Sequence, residues 1–431
     1  MSSRTRQHGT DTSAKGHIFI NRAFGLLWSG QTISTLGSHI TDAGIPLIAI
    51  LVLGAQPVQV GLLVAFSALP SLLFGLLIGV WVDRLARRPL MLLTDIMRAL
   101  LLFSLPIAAL SGHLHMAQLY LVAILLSCCT IGFNTAYQAF LPQIIASDQL
   151  IAGNSKLGIS SSLAEIGGPP LAGTLIQLLG APLAMLFDGL SFLFSALSIA
   201  LLHPHEIQRI VPAQQRKGSI WREMHEGFAA LFSHPLLRTL AIYSTVRTFF
   251  GGAFAALYII YIVRELRIAP AYYGILIALG GIGALLGSFI MPALTRRFGP
   301  KRTLIGGALL HGLLAPLTPL VSGPMALMFA ILGISQLIGD IGFELYALNE
   351  ISLRQINLPV SVQGRVNAVI GFLVDGVAPL GTLLAGIISQ YIGVRMTLLY
   401  GASGMLLIAV WLALLWHAGQ AHSSGKKSST N

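Results

Sequence analysis

From Ala43 to Val82, and again from Ala99 to Ser147, the chain carries no Asp, Glu, Lys or Arg. Stretches that long cannot form the surface of a water-soluble domain, where about 25% of residues are charged. Between them lies one compact charged segment, Gly79-Val-Trp-Val-Asp83-Arg84-Leu-Ala-Arg87-Arg88. Charge confined to one short turn between two apolar runs predicts a tight loop joining two membrane helices. Composition agrees: of 431 residues, 55% are hydrophobic and only 10% charged. Spanning hydrocarbon takes about 20 apolar residues per helix; twelve such stretches occur, centred roughly on residues 38, 70, 101, 128, 167, 192, 250, 282, 311, 336, 379 and 405. The expectation is an all-α membrane protein with twelve transmembrane helices. Its first long apolar stretch is a full span, so residues 1–17 read as a polar tail rather than a signal peptide.

A net charge of +11 invites a nucleic-acid reading, but the placement of the charges opposes it. With the N-terminus inside, all but four of the 26 Lys and Arg residues fall on the cytoplasmic side, Arg98 being counted at the inner end of span three. Arg264, Arg267 and Arg395 remain outside, and Arg247 lies within a span. This is the positive-inside bias, which puts both termini in the cytoplasm of a cell whose inner membrane the chain crosses many times. No nucleic-acid partner is expected. The two cysteines, Cys128 and Cys129, are adjacent in span four and read as small buried hydrophobes, so no metal or redox chemistry is expected.

A constant offset of 213 residues superimposes the two halves: Gly61 on Gly274, Arg84 on Arg297, Arg88 on Lys301, Asn154 on Asn367, Gly173 on Gly386 and Gly180 on Gly393. One register held from the second span to the end of the fifth predicts two pseudo-symmetric six-helix bundles. The expected organisation is a cytoplasmic tail (1–17), a first bundle (18–203), a linker (204–235), a second bundle (236–417) and a C-terminal tail (418–431). Within the linker, Ile220 to Phe232 repeats apolar residues at helical spacing around Arg222, Glu223 and Glu226. That pattern predicts an amphipathic helix on the inner membrane surface, with a partner-protein site as the alternative.

Six acids fall inside predicted spans: Asp42, Glu165, Asp188, Asp340, Glu344 and Asp375. Each costs about 2.5 to 3.5 kcal/mol at a helix centre, so they should face the interior or a wet cavity. Polar residues also recur at helical spacing on four spans. Span one carries Gln31, Ser38 and Asp42; span four carries Asn134 and Gln138; span ten carries Gln336, Asp340 and Glu344. Span seven mixes Tyr243, Arg247, Phe254 and Tyr258. Asp340 and Glu344, one turn apart, are suited to sharing a proton, with Arg247 to compensate whichever is ionised. The plainer alternative is a fixed internal ion pair that holds the bundle together. His39 reads as packed against polar neighbours rather than as a proton relay; Asp95 and Arg98 read as structural, and for Asp188, near the outer end of span six, capping or packing explains it as well as transport does.

With its repeated halves and charged loop, the chain resembles the major facilitator superfamily of transporters from about Asn21 to Trp416. Gly79 to Arg88 is similar to that superfamily's signature loop, with Ala86 where a glycine is usual; Arg296 to Arg302 is a second copy lacking the acid. The resemblance implies a conformational latch at Gly79, Asp83, Arg84, Arg87 and Arg88, beside the topology anchoring that the arginines provide in any case. It also places spans 1, 4, 7 and 10 around a central cavity. Phe24-Gly-Leu-Leu-Trp28-Ser-Gly-Gln31, Glu226-Gly-Phe and Leu141-Pro142 are similar to the exporter branch that includes macrolide-efflux and enterobactin-type siderophore exporters. Gly168-Pro169-Pro-Leu-Ala-Gly173 resembles the antiporter motif of proton-coupled exporters, with Ala164 and Ala172 where glycines are usual. In bare physical terms the same segment bends a helix and permits close packing.

An ATP-driven pump is disfavoured, because no Gly-x-x-x-x-Gly-Lys-Ser/Thr loop exists to cradle phosphates. A metalloenzyme reading of His203-Pro-His205-Glu206 fails on helical ligand spacing. The expected function is therefore secondary transport: a proton-coupled exporter of small amphipathic organic molecules. An uptake symporter of the same fold is the first alternative; a membrane sensor or polytopic enzyme is the second. Expected partners are a small-molecule substrate, protons and the lipid bilayer; the expected state is a monomer without cofactor.

Overall fold

The computed structural model describes residues 22–82, 85–145, 149–202 and 220–428. The first half comprises α1 (Arg22–Leu47), α2 (Pro57–Val82), α3 (Arg87–Leu110), α4 (Met116–Ile144), α5 (Leu150–Leu179) and α6 (Ala181–Ala200). A linker helix, α7 (Ile220–Ser233), precedes α8 (Pro235–Ile260), α9 (Pro270–Phe298), α10 (Pro300–Leu314), the one-turn α11 (Leu317–Leu320), α12 (Met325–Asn357), α13 (Val360–Ile392) and α14 (Val394–Ser428). Ten of these segments are long and apolar enough to cross a bilayer, α10 and α11 together forming one. The other two long helices are α2 and α5. Asn154, Lys156, Ser160, Ser161, Ser162 and Glu165 lower the hydropathy of α5, which is sheltered against α1, α6 and α9. The chain thus crosses back and forth twelve times. We call the face that carries the start of α1 and the α6–α8 linker the termini end, and the opposite face the far end.

Packing repeats as the sequence does. In the first half α1 lies on α5 and α6, α3 on α4 and α6, and α2 on α4; in the second, α8 lies on α13 and α14, α10 on α12 and α14, and α9 on α12. Finer features repeat too. α1 ends in a π turn, Ile48–Val52, and α8 ends in its counterpart, Tyr261–Glu265, 213 positions later. Gly180 and Gly393 close α5 and α13 with φ of 83° and 84°, backbone that a side chain would strain.

The halves meet where α2 crosses α13 and α5 crosses α9. Both crossings use the glycines of the 213-residue register. A methyl group at Gly61 would stand 2.9 Å from the Thr382 carbonyl oxygen, and one at Gly274 would stand 2.2 Å from that of Pro169. Only glycine lets the backbones approach this closely. Both crossings lie toward the far end, where α2 and α9 begin and α5 and α13 finish. Hydrogen bonds between the halves are found there as well: Arg264 donates to the carbonyls of Ala55 (3.0 Å) and Ile50 (3.4 Å), and the Ala271 amide donates to Gln177 (3.3 Å).

Two details go beyond the expectations. Part of the apolar face of α7 is covered by protein: Leu231 packs with Leu237, Val366, Val369 and Ile370, and Glu226 accepts a bond from Arg365 of α13 at 2.6 Å. Arg98 is no loop residue; it lies eleven positions into α3 and is buried. The helix α14 runs to Ser428, and its candidate membrane span ends at Trp416.

Candidate functional site

Two adjoining cavities occupy the middle of the molecule. The larger, about 700 Å3, lies between the halves; Ser38, Thr41 and Asp42 of α1, Ser127 and Thr130 of α4, and Tyr273 of α9 line it. The smaller, about 250 Å3, lies within the second half among α8, α9, α10, α12 and α14; Arg247, His311, Gln336 and Asp340 line it. Phe254 and Tyr258 of α8, with Ile277 of α9, border both. On α4 the face of Ser127 and Thr130 continues as exposed Asn134 and Gln138, leading toward the termini end.

Two buried charges near the larger cavity have partners, although Asp95 Oδ2 and Arg98 Nε lack a hydrogen bond among the described residues. Arg98 pairs with Asp95 one turn before it, and its guanidinium lies between the rings of Phe133 (4.5 Å) and Phe192 (4.1 Å). Asp188, fully buried on α6, accepts bonds from Thr41 and from Ser191 (2.8 Å). Arg98 reads from sequence as structural and Asp188 as open between packing and transport; both line the cavity. Their signal was available: a buried i, i+3 acid–base pair on one helix and an acid among serines spaced at 188, 191 and 195 on another. Asp42 differs from its neighbours, lining the same cavity with no ion pair among the described residues.

In the smaller cavity the charges are less satisfied. Asp340 accepts a bond from Gln336 at 2.7 Å, an oxygen for which Gly280 of α9 leaves room. Among the described residues Arg247 forms no ion pair; its guanidinium lies 4.7 Å from the centre of the Phe343 ring and makes a single long bond to Thr248 (3.5 Å). Arg247 Nε is buried without a partner among the described residues, and so is His311 Nε2, whose Nδ1 bonds the Gly339 carbonyl at 3.0 Å. The expected compensation of an α12 acid by Arg247 is therefore not made in this conformation. His311 went unremarked in the sequence because a lone histidine in an apolar helix carries no pattern.

The other candidates disperse. Glu344 turns toward α9, its Cβ 2.9 Å from where a methyl at Gly287 would stand, and Glu165 of α5 is near enough to act on both Glu344 and Asp340. Asp375 of α13 is exposed and has no ion pair among the described residues. Gln31 lies at the α1–α6 contact, 3.4 Å from Ser195, and Tyr243 is buried against Tyr346 (4.6 Å between rings); neither borders the two cavities. Gly168 leaves room for the His39 ring, Pro169 receives Gly274, and Gly173 receives the Pro270 carbonyl, so the helix-five segment sits between α1 and α9. Of the charged loop, Asp83 and Arg84 lie outside the described residues, as do the surroundings of Gly79. Arg87 donates to the Ala139 carbonyl (2.7 Å), and Arg88 to those of Ile199 (3.1 Å) and Ala200 (2.7 Å). Arg88 thus binds the last carbonyls of α6, of which that of Ile199 also accepts from the Leu202 amide (3.2 Å).

Known proteins resemble this arrangement along its whole length. The sequence model of the family described as transmembrane secretion effector matches residues 17–430. The multidrug efflux pump Tap of Mycolicibacterium fortuitum is 27% identical over 80% of this chain and 84% of its own. The macrolide efflux protein A of Streptococcus pyogenes is 24% identical over 90% and 94%. Among solved structures, a bacterial homologue of the iron transporter ferroportin in its inward-facing state superimposes with a TM-score of 0.73, at 18% identity over 92% of this chain and 99% of its own. In its outward-facing state that homologue scores 0.56, again at 18% identity, over 92% of this chain and 99% of its own. The chain belongs to the transmembrane secretion effector family of the major facilitator superfamily and is a multi-pass membrane transporter, not an enzyme.

Proposed function

We propose that the protein is a proton-coupled exporter of small amphipathic organic molecules, working by alternating access in a bacterial inner membrane with both termini in the cytoplasm. The observation that carries this reading is a cavity between two repeated halves, walled by Asp42 and by the aromatic residues Phe254, Tyr258 and Tyr273, that adjoins a second one holding Asp340. Carboxyl groups on a cavity wall without ionic partners among the described residues can take up and release protons, and an acid inside the membrane is a functional candidate by default. Aromatic walls suit a ring-bearing cargo. The glycine crossings hold the far end shut while exposed Asn134 and Gln138 lead to the termini end. With the termini inside, this is an inward-facing state, in keeping with the higher similarity to the inward-facing neighbour. Efflux relatives support the outward direction.

In the transport cycle the two halves rock about these crossings. Several weak contacts suit the latch at Asp83, Arg84, Arg87 and Arg88, because a swing from 1:99 to 99:1 takes about 5.5 kcal/mol. Single contacts of about 0.3 to 2 kcal/mol fall short of that alone and together remain reversible. A susceptibility and dye-accumulation screen in an efflux-deficient bacterial host tests the reading. Expression of the wild type is expected to raise resistance to at least one amphipathic drug, and the double variant Asp340→Asn, Glu344→Gln, present at equal level in the membrane, to lose that protection. Equal protection by both proteins would remove these acids from the coupling role.

A further inference from the structure

Within that exporter reading, we propose that the 250 Å3 cavity is a carboxylate subsite: Arg247 holds the anionic head of a substrate whose ring-bearing body lies in the 700 Å3 cavity. Arg247 is the reason. Each of the other cavity-wall charges is answered or acidic: Arg98 has Asp95, Asp188 has Thr41 and Ser191, and Asp340 has Gln336. Arg247 alone brings a guanidinium to a cavity with no carboxylate within ion-pairing distance among the described residues. It has one long hydrogen bond, an unpartnered Nε, and the face of Phe343 to lie on. A planar guanidinium on a cavity wall, with no carboxylate in ion-pairing distance among the described residues and a ring to stack on, is suited to recognise a carboxylate in two-point fashion.

The neighbours define the rest of the head group. His311 donates its Nδ1–H to the Gly339 carbonyl, so Nε2 of the neutral ring is a buried acceptor without a partner among the described residues, on a side chain that lines the same cavity. Asp340 adds a second acceptor. One cation and two acceptors suit a carboxylate with an N–H or O–H beside it. The volume fits a head group and little more, whereas the shared border of Phe254, Tyr258 and Ile277 passes directly into the larger cavity. Recognition here is therefore bipartite: charge is read in the second half and apolar bulk between the halves.

Two xanthene dyes that differ only by esterification test this, rhodamine 110 with a free carboxylate and rhodamine 123 as its methyl ester. Their binding to the purified full-length protein in detergent is measured by fluorescence anisotropy, which needs neither a proton gradient nor turnover. A failure here therefore leaves the exporter reading to its own test. The wild type is expected to bind the acid about tenfold or more tighter than the ester, the ratio that one lost charged contact commonly produces. Arg247→Gln should lose that preference while binding the ester as before, which shows that the variant is folded; Arg247→Lys should keep part of it. Equal affinities in the wild type, binding of the ester alone or of neither dye, or an unchanged preference in Arg247→Gln would overturn the proposal.

Discussion

The two halves are built on one plan and hold their buried arginines in opposite ways. Arg98 on α3 is closed in, paired with Asp95 and sandwiched by Phe133 and Phe192. Arg247 on α8 faces a cavity with no carboxylate in ion-pairing distance among the described residues, resting on Phe343. Removing one member of a buried ion pair strands the other charge, while removing a charge that has no partner strands nothing. The contrast separates a cation that maintains the fold from one that is free to meet something else, a ligand or an acid brought near in another conformation.

Stability measurements in detergent can undo this contrast. Arg98→Ala, which leaves the Asp95 carboxylate buried and unpaired, is expected to cost about 3 to 5 kcal/mol of unfolding free energy and most of the folded yield. Arg247→Ala should cost only about 0.5 to 2 kcal/mol, the worth of its cation–π contact. Comparable losses at the two sites would make both arginines structural. The 213-residue register supplies a second pair. Gly381→Ala would bring a methyl 2.3 Å from the Phe249 carbonyl oxygen, backbone that cannot turn aside, and should cost about 1 to 3 kcal/mol. Its counterpart Gly168→Ala meets the His39 ring, which can rotate away, so thermal unfolding should shift less. The smallest effect belongs to the linker. Glu226→Gln weakens half-exposed contacts with Arg222 and Arg365 and should cost about 0.2 to 1 kcal/mol, read as a salt-sensitive shift in unfolding temperature.

The architecture was legible in the sequence because hydropathy and a constant offset are long-range patterns that no single residue can blur. The same offset located Gly61, Gly274, Gly173 and Gly386 before any contact was known, and these turn out to be the crossings between halves. Side-chain partners were less legible. Helical spacing put Gln336, Asp340 and Glu344 on one face, but that face spirals, so Gln336 and Asp340 reach a cavity and Glu344 reaches α9. Tyr243 and Gln31 share spacing with cavity residues yet are taken up by Tyr346 and by the α6 contact, because periodicity cannot say which neighbour fills the gap. Arg98 was misplaced for a related reason. Counting charges by loop assumes that a basic residue near a helix end stays in water, whereas an aspartate three positions earlier let it go inside.

Proton coupling itself is open to direct test in everted membrane vesicles that hold the protein under an imposed gradient, acid inside. Adding a drug identified by the host screen should drive its accumulation in the lumen and release luminal protons, with both signals lost in the Asp340→Asn, Glu344→Gln protein. Drug that leaves the lumen together with protons, or accumulates while the proton gradient stays untouched, would contradict proton-driven export.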